Sequence, residues 1–149
     1  MPAHATASAP AVKLATLAGM KSRAERIAML TAYDATLAAQ FDAAGIDVVL
    51  VGDSLGMVVQ GRTSTVPVML DEVAYHLRCV AAGNRHAWLL GDLPFGTYEA
   101  GPEQALRSSA TLLPLLRLRI ADIRTRLVDL TVNNKDVLQG LQDIVDDKR

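Results

Sequence analysis

The sequence predicts a parallel α/β fold, and three observations carry that prediction. From Arg26 onward, short apolar runs alternate with segments whose apolar residues recur at helical spacing, in the order strand, helix, strand, helix, strand, helix. The central run, "IDVVLVGDS", is an unbroken series of Val and Leu, as expected for a parallel strand covered on both faces by helices. Each apolar run also ends in an aspartate: Asp34, Asp53 and Asp92. In α/β folds the ends of the strands are where ligand sites gather.

The opening residues, "MPAHATASAPA", are rich in Ala, Pro and Ser and show no periodicity, so residues 1–12 are expected to form a disordered N-terminus. They have neither the basic start nor the apolar run of a secretory signal. No stretch approaches the ~20 apolar residues of a membrane span, and the expected location is the cytoplasm. "GMKS" at Gly19–Ser22 resembles the end of a phosphate-binding loop but lacks the leading glycine and the preceding strand. "RIAMLTAYD" is the first strand, and "ATLAAQFDAAG" a helix closed by Gly45. "IDVVLVGDS" is the second strand. "VMLDEVAYHLRCVAAG" is a second amphipathic helix, stopped by Gly83. "HAWLLGDLP" is the third strand, and "GPEQALRSSATLL" a third helix with Pro102 in its first turn.

At 149 residues the chain is long enough for one domain with a substantial core. Its formal net charge is −1, which removes the electrostatic case for nucleic acid or an anionic membrane surface as partner. The one cysteine, Cys79, cannot form an internal disulfide and reads as a small apolar residue of the second helix.

The three strand-end aspartates differ. Asp34 directly precedes a helix and reads as its N-cap. Asp53 and Asp92 each follow a glycine, in "VGDS" and "LGDLP", and neither opens an obvious helix. Two carboxylates facing one cleft repel each other, so a divalent cation is their natural partner. Hard oxygen donors suit magnesium, which takes one or two carboxylates together with water and substrate oxygens. A ligand role and a turn-forming role both remain open for this pair on physical grounds.

Four segments occur in a diagnostic order: "MLTAYD" at Met29–Asp34, "VLVGDSLGMVVQG" at Val49–Gly61, "STVPVMLDEVAYH" at Ser64–His76 and "GDLPFGTY" at Gly91–Tyr98. Together they resemble the ketopantoate hydroxymethyltransferases (3-methyl-2-oxobutanoate hydroxymethyltransferases), over roughly Lys13 to Leu113. The resemblance implies a (βα)8 TIM barrel, of which these residues would build about three βα units. It also implies magnesium, and the transfer of a one-carbon unit from 5,10-methylenetetrahydrofolate, as co-substrate, to the 2-oxoacid 2-oxoisovalerate in pantothenate synthesis. By the same resemblance Asp53 and Asp92 would be metal ligands that also touch the substrate, and Ser54 would help hold the oxoacid. Gly52 and Gly56 would let backbone approach metal and substrate without an intervening side chain.

The chain also departs from the family pattern. After "ATLL" the family continues into a fourth strand of the form "VKxEG", with a lysine for the substrate and a glutamate at the metal site. Later strands bring the glutamate that acts as general base. These 149 residues contain no match to that strand, and Pro114 instead begins "PLLRLRIADIRTRLVDLTVNNKDVLQGLQDIVDDKR". A complete barrel takes about 250 residues. Inside the motifs, Arg62 and Thr63 stand where His or Tyr and Asp are common.

Residues 13–113 are therefore expected to form a partial TIM-barrel domain, and residues 114–149 an α-helical tail. Leu113, Leu116, Ile120, Ile123, Leu127 and Leu130 form an apolar seam that Val137, Leu141 and Ile144 resume. Arg117, Arg119, Arg124 and Arg126 flank it and oppose a parallel homodimer. Two amphipathic helices folding back over the sheet, broken near Asn133 and Asn134, fit the pattern better.

Three functional readings follow. The first is a truncated or divergent hydroxymethyltransferase, inactive as an isolated chain because the general base and the fourth-strand residues are absent. The second is a non-catalytic interaction protein on a half-barrel, whose open third strand favours pairing with copies of itself, as a homo-oligomer, or with a full-length relative. The third is another magnesium-dependent 2-oxoacid enzyme with a borrowed base, for which His76 and His86 are the candidates, although both positions read first as structural. Tyr33 and Tyr98 lie near the proposed rim and read as packing residues.

Overall fold

The computed structural model describes residues 10–116. They form a small α/β fold around a three-stranded parallel sheet in the order β1-β2-β3. The elements are α1 (Leu14–Ser22), β1 (Met29–Thr31), α2 (Ala35–Ala43), β2 (Val48–Val51), α3 (Leu55–Val58), α4 (Leu70–Gly83), β3 (Trp88–Gly91) and α5 (Pro102–Leu112). A 3-10 turn at Leu113–Leu115 follows. No described helix is long and apolar enough to cross a membrane.

Met29 pairs with Val48, and Val48 with Trp88; the register then runs to Val51 opposite Gly91. Residues in register share a face of the sheet. On one face Val49, Val51 and Leu89 join Val73, Leu77 and Val80 of α4 in the core. The other face is only partly covered among the described residues: Val48 is buried, but Leu90 is 36% exposed and Met29 53%. Among the described residues, the unbroken Val/Leu run of β2 thus has one helix-covered face rather than the two expected. A second cover would have to come from elements beyond these three strands.

Asp34 caps α2, its Oδ1 accepting the Leu37 N–H at 2.8 Å. Gly45 ends the same helix with φ 78°. Its N–H reaches Asp42 O at 3.2 Å, and the next N–H, of Ile46, reaches Phe41 O at 3.1 Å. Two such bonds with a left-handed residue between them make a Schellman closure. Gly45→Ala should therefore lower stability by about 1 kcal/mol, read as a drop in thermal midpoint, since alanine tolerates a positive φ poorly.

α4 ends at Gly83 as expected, but without a left-handed glycine closure. Asn84 beyond it is extended. A Cβ at Gly83 would lie 2.0 Å from Ala35 O, so the position is glycine because the end of α4 meets the start of α2. The sequence contains a further helix that periodicity did not mark. In α1 no residue is buried, so its apolar residues make no core-facing stripe. Good helix formers such as Leu, Ala, Met and Lys suffice there. Val12, just before α1, donates its N–H to His86 O at 2.7 Å.

Leu115 and Leu116 pack against the core, with Leu116 beside Gly91 at the end of β3. The rest of the expected helical tail, and the first nine residues of the expected disordered N-terminus, lie outside the described residues.

Candidate functional site

Parallel pairing puts the C-terminal ends of all three strands on one side of the sheet, and the loops leaving them carry Tyr33-Asp34, Asp53-Ser54 and Asp92. Asp92 continues the ladder, its N–H donating to Val51 O at 2.9 Å. The side chain of Asp92 lies over the Gly52 backbone. A Cβ built on Gly52 would meet Asp92 Cβ at 3.4 Å and Asp92 Oδ2 at 3.8 Å. The Asp92 carboxylate thus stands against the turn that carries Asp53, the next residue after Gly52. Asp53 is half-buried and Asp92 is exposed.

Each loop is held locally. Beyond Asp53 a short helix does begin, contrary to expectation: Gly56 N–H donates to Asp53 O at 2.9 Å, and α3 occupies Leu55–Val58. Gly56 also serves packing, since a Cβ there would lie 2.6 Å from Val68 Cγ2. Arg62 holds the following connection, donating to Pro67 O at 2.7 Å and Glu72 Oε1 at 3.0 Å. Glu72 also accepts from the Met69 N–H and from Gln60. Its carboxyl lies below the usual range, chiefly because of the Met69 N–H bond. Arg62 therefore has a structural task that its place inside a motif did not reveal. Beyond Asp92, Ser108 of α5 donates to Thr97 O at 2.7 Å, and Gln104 to Gly96 O at 2.7 Å, tying that loop to the helix that follows.

Of the residues singled out in the sequence, Asp53, Ser54 and Asp92 share the C-terminal rim. Asp34 lies at that rim as well, but one of its oxygens is engaged in capping α2. His86 is at the opposite end, preceding β3, with Nδ1 2.8 Å from Asp42 Oδ2. It cannot serve this rim as a base. His76 bonds through Nδ1 to Tyr33 O at 2.7 Å, and since a carbonyl only accepts, Nδ1 carries the proton. Cys79 is a free, half-buried thiol on α4. Tyr98 is largely exposed. Tyr33 is more than packing: its hydroxyl lies 2.6 Å from Ser54 Oγ.

The donor set suits a hard divalent cation. Asp53 and Asp92 lie at adjoining strand ends, and glycine leaves room for the Asp92 side chain to lie against the turn that carries Asp53. Among the described residues no group of three or more His, Cys, Asp and Glu side chains forms a metal cluster.

The family model for ketopantoate hydroxymethyltransferase matches residues 11–121 of this chain. The chain belongs to the ketopantoate hydroxymethyltransferase family. Among its relatives, the 3-methyl-2-oxobutanoate hydroxymethyltransferase of Thiobacillus denitrificans is 57% identical over 102 residues, covering 68% of this chain and 39% of the relative. The enzyme of the same name from Leptothrix cholodnii is 60% identical over 102 residues, covering 67% of this chain and 35% of the relative. That from Ralstonia nicotianae is 56% identical over 103 residues, covering 69% and 37%. The chain thus spans less than two fifths of the length of these hydroxymethyltransferases. The family match runs past Leu113 to residue 121.

Proposed function

We propose that these residues are the first part of a 3-methyl-2-oxobutanoate hydroxymethyltransferase barrel, about three βα units of it, and that they carry the metal- and oxoacid-binding half of its site. In this reading Asp53 and Asp92 hold magnesium, and Ser54 donates a hydrogen bond to the 2-oxoacid. The reaction is one-carbon transfer from 5,10-methylenetetrahydrofolate to 2-oxoisovalerate, in pantothenate synthesis in the cytoplasm. What supports the reading most is the approach of Asp92 to Gly52, which brings its carboxylate against the turn that carries Asp53 at the neighbouring strand end.

When bound, magnesium supplies Lewis acidity toward the oxoacid carbonyl. The chain's own residues bind and orient. Asp53 and Asp92 provide negative charge and hard oxygens, and the loop anchored by Gln104 and Ser108 holds the strand end that carries Asp92. The lysine and glutamate of "VKxEG" and the later base glutamate are not among these 149 residues.

The reading is tested by titrating the full chain with Mn2+, a paramagnetic substitute for magnesium, and counting free ion by electron paramagnetic resonance. Asp53→Asn and Asp92→Asn should each weaken binding by roughly tenfold or more, because each removes one of two charged ligands. Binding unaltered in both variants would remove the metal site.

A further inference from the structure

We propose that Tyr33 is the positioning residue for Ser54, holding its hydroxyl as an outward donor to an anionic oxygen of the ligand, a carboxylate of the 2-oxoacid class. The proposal rests on the assignment of Ser54 to the oxoacid.

A serine at the start of a helix ordinarily turns its oxygen onto a backbone N–H of the first turn. Ser54 occupies that position ahead of α3, yet its side chain makes no capping bond. Its Oγ instead meets the phenolic oxygen of Tyr33 at 2.6 Å, across 21 residues of sequence. Among the described residues, no other hydrogen bond of this hydroxyl is present. The phenol is the stronger acid of the two and so the better donor. With Tyr33 donating, the Ser54 oxygen is occupied as an acceptor and its own proton is left free. The half-buried hydroxyl can then donate beside Asp53, where a chelating acid would bring its carboxylate.

Tyr33 is itself held from several sides. Its ring is buried at the end of β1. His76 of α4 donates to its carbonyl, and the two rings stand edge to face at 6.1 Å between centroids. The following residue, Asp34, is fixed by capping α2. A phenol so constrained has little freedom to swing with its partner, so the Ser54 hydroxyl is oriented before ligand arrives. Preorganisation of this kind raises affinity by reducing the ordering left to the binding step.

The test is a double-mutant cycle on the full chain in Mn2+, with 3-methyl-2-oxobutanoate as the probe and calorimetry as the readout. Tyr33→Phe and Ser54→Ala should each weaken oxoacid binding by roughly tenfold, leave Mn2+ affinity unchanged, and be no worse together than Ser54→Ala alone. Independent, additive losses, or a Tyr33→Phe variant that binds the acid as the wild type does, would overturn the positioning role while leaving the metal site intact. Wild-type chain that binds Mn2+ but no oxoacid would overturn the Ser54 assignment and this role with it. Failure of the metal site shows separately, as Mn2+ binding that Asp53→Asn and Asp92→Asn do not weaken.

Discussion

Gly83→Ala should destabilise the fold by more than about 3 kcal/mol, beyond the usual cost of overpacking, because the added methyl meets backbone rather than a side chain that can rotate away. Its Cβ would lie 2.0 Å from Ala35 O, 2.8 Å from Ala35 C and 3.0 Å from Ala35 Cα. Relief requires α4 and α2 to part, and these helices cover the sheet together with Ala38, Val73, Leu77 and Val80 in one core. For a domain of this size the thermal midpoint should fall by roughly 10–20 °C or more. Gly91→Ala makes the informative contrast. A Cβ there would meet Leu77 Cδ1 at 2.8 Å and Leu116 Cδ2 at 3.4 Å, both ends of flexible side chains, so its loss should be clearly smaller. Equal losses would mean that the α2–α4 approach is not the constraint it looks to be.

Asp42→Ala should cost about 3 kcal/mol, in the range for breaking a buried charged contact. The Asp42 side chain is only 7% exposed and gathers three donors at the far end of the sheet from the candidate site. It accepts the His86 N–H at 2.7 Å, the His86 imidazole at 2.8 Å and the Ala87 N–H at 3.0 Å. Alanine would leave these donors without their acceptor, two of them on the backbone that leads into β3. Burial pushes the Asp42 carboxyl up, but the bonds from Ala87 and His86 outweigh it, and the net direction is down. The folded state therefore favours the ionised form. Its stabilising contribution is complete above the unfolded-state value of about 4 and is lost as pH falls through the lower folded-state value. Denaturation by urea at a series of pH values should show wild-type stability declining below about pH 4, and a shallower decline in Asp42→Ala. Parallel curves for the two proteins would count against this account.

Local rules made part of this protein legible. The parallel α/β order follows from segments that change period between strand and helix, and it is the architecture found. Asp34 before an apolar-periodic segment could be read as a cap because capping involves residues three apart. Gly45 could be read as a helix end for the same reason, since its closure involves only Phe41, Asp42 and Ile46. The strand-end placement of Asp53 and Asp92 also followed from chain order, once the strands were taken as parallel. The family was legible because four short motifs preserve their order and spacing.

What needed the tertiary structure was every feature in which distant segments meet. Gly83 read only as a stop signal because the atom that forbids a side chain there belongs to Ala35, on another helix. Gly56 read only as a site glycine because nothing near it in sequence indicates that Val68 fills its space. His86 could be read as structural, but its partner Asp42, 44 residues away and at the far end of the sheet from the rim, could not be named. The Tyr33–Ser54 bond likewise depends on β1 and β2 lying side by side in a particular register. Periodicity and capping act within a turn or two of chain, so sequence alone determined the alternation of the three strands with α2, α4 and α5, and the ends of the strands, but not α1 or α3. Close approach and hydrogen bonding between elements depend on ångström-scale separations, and only the packing of α2, α4 and the sheet decided those.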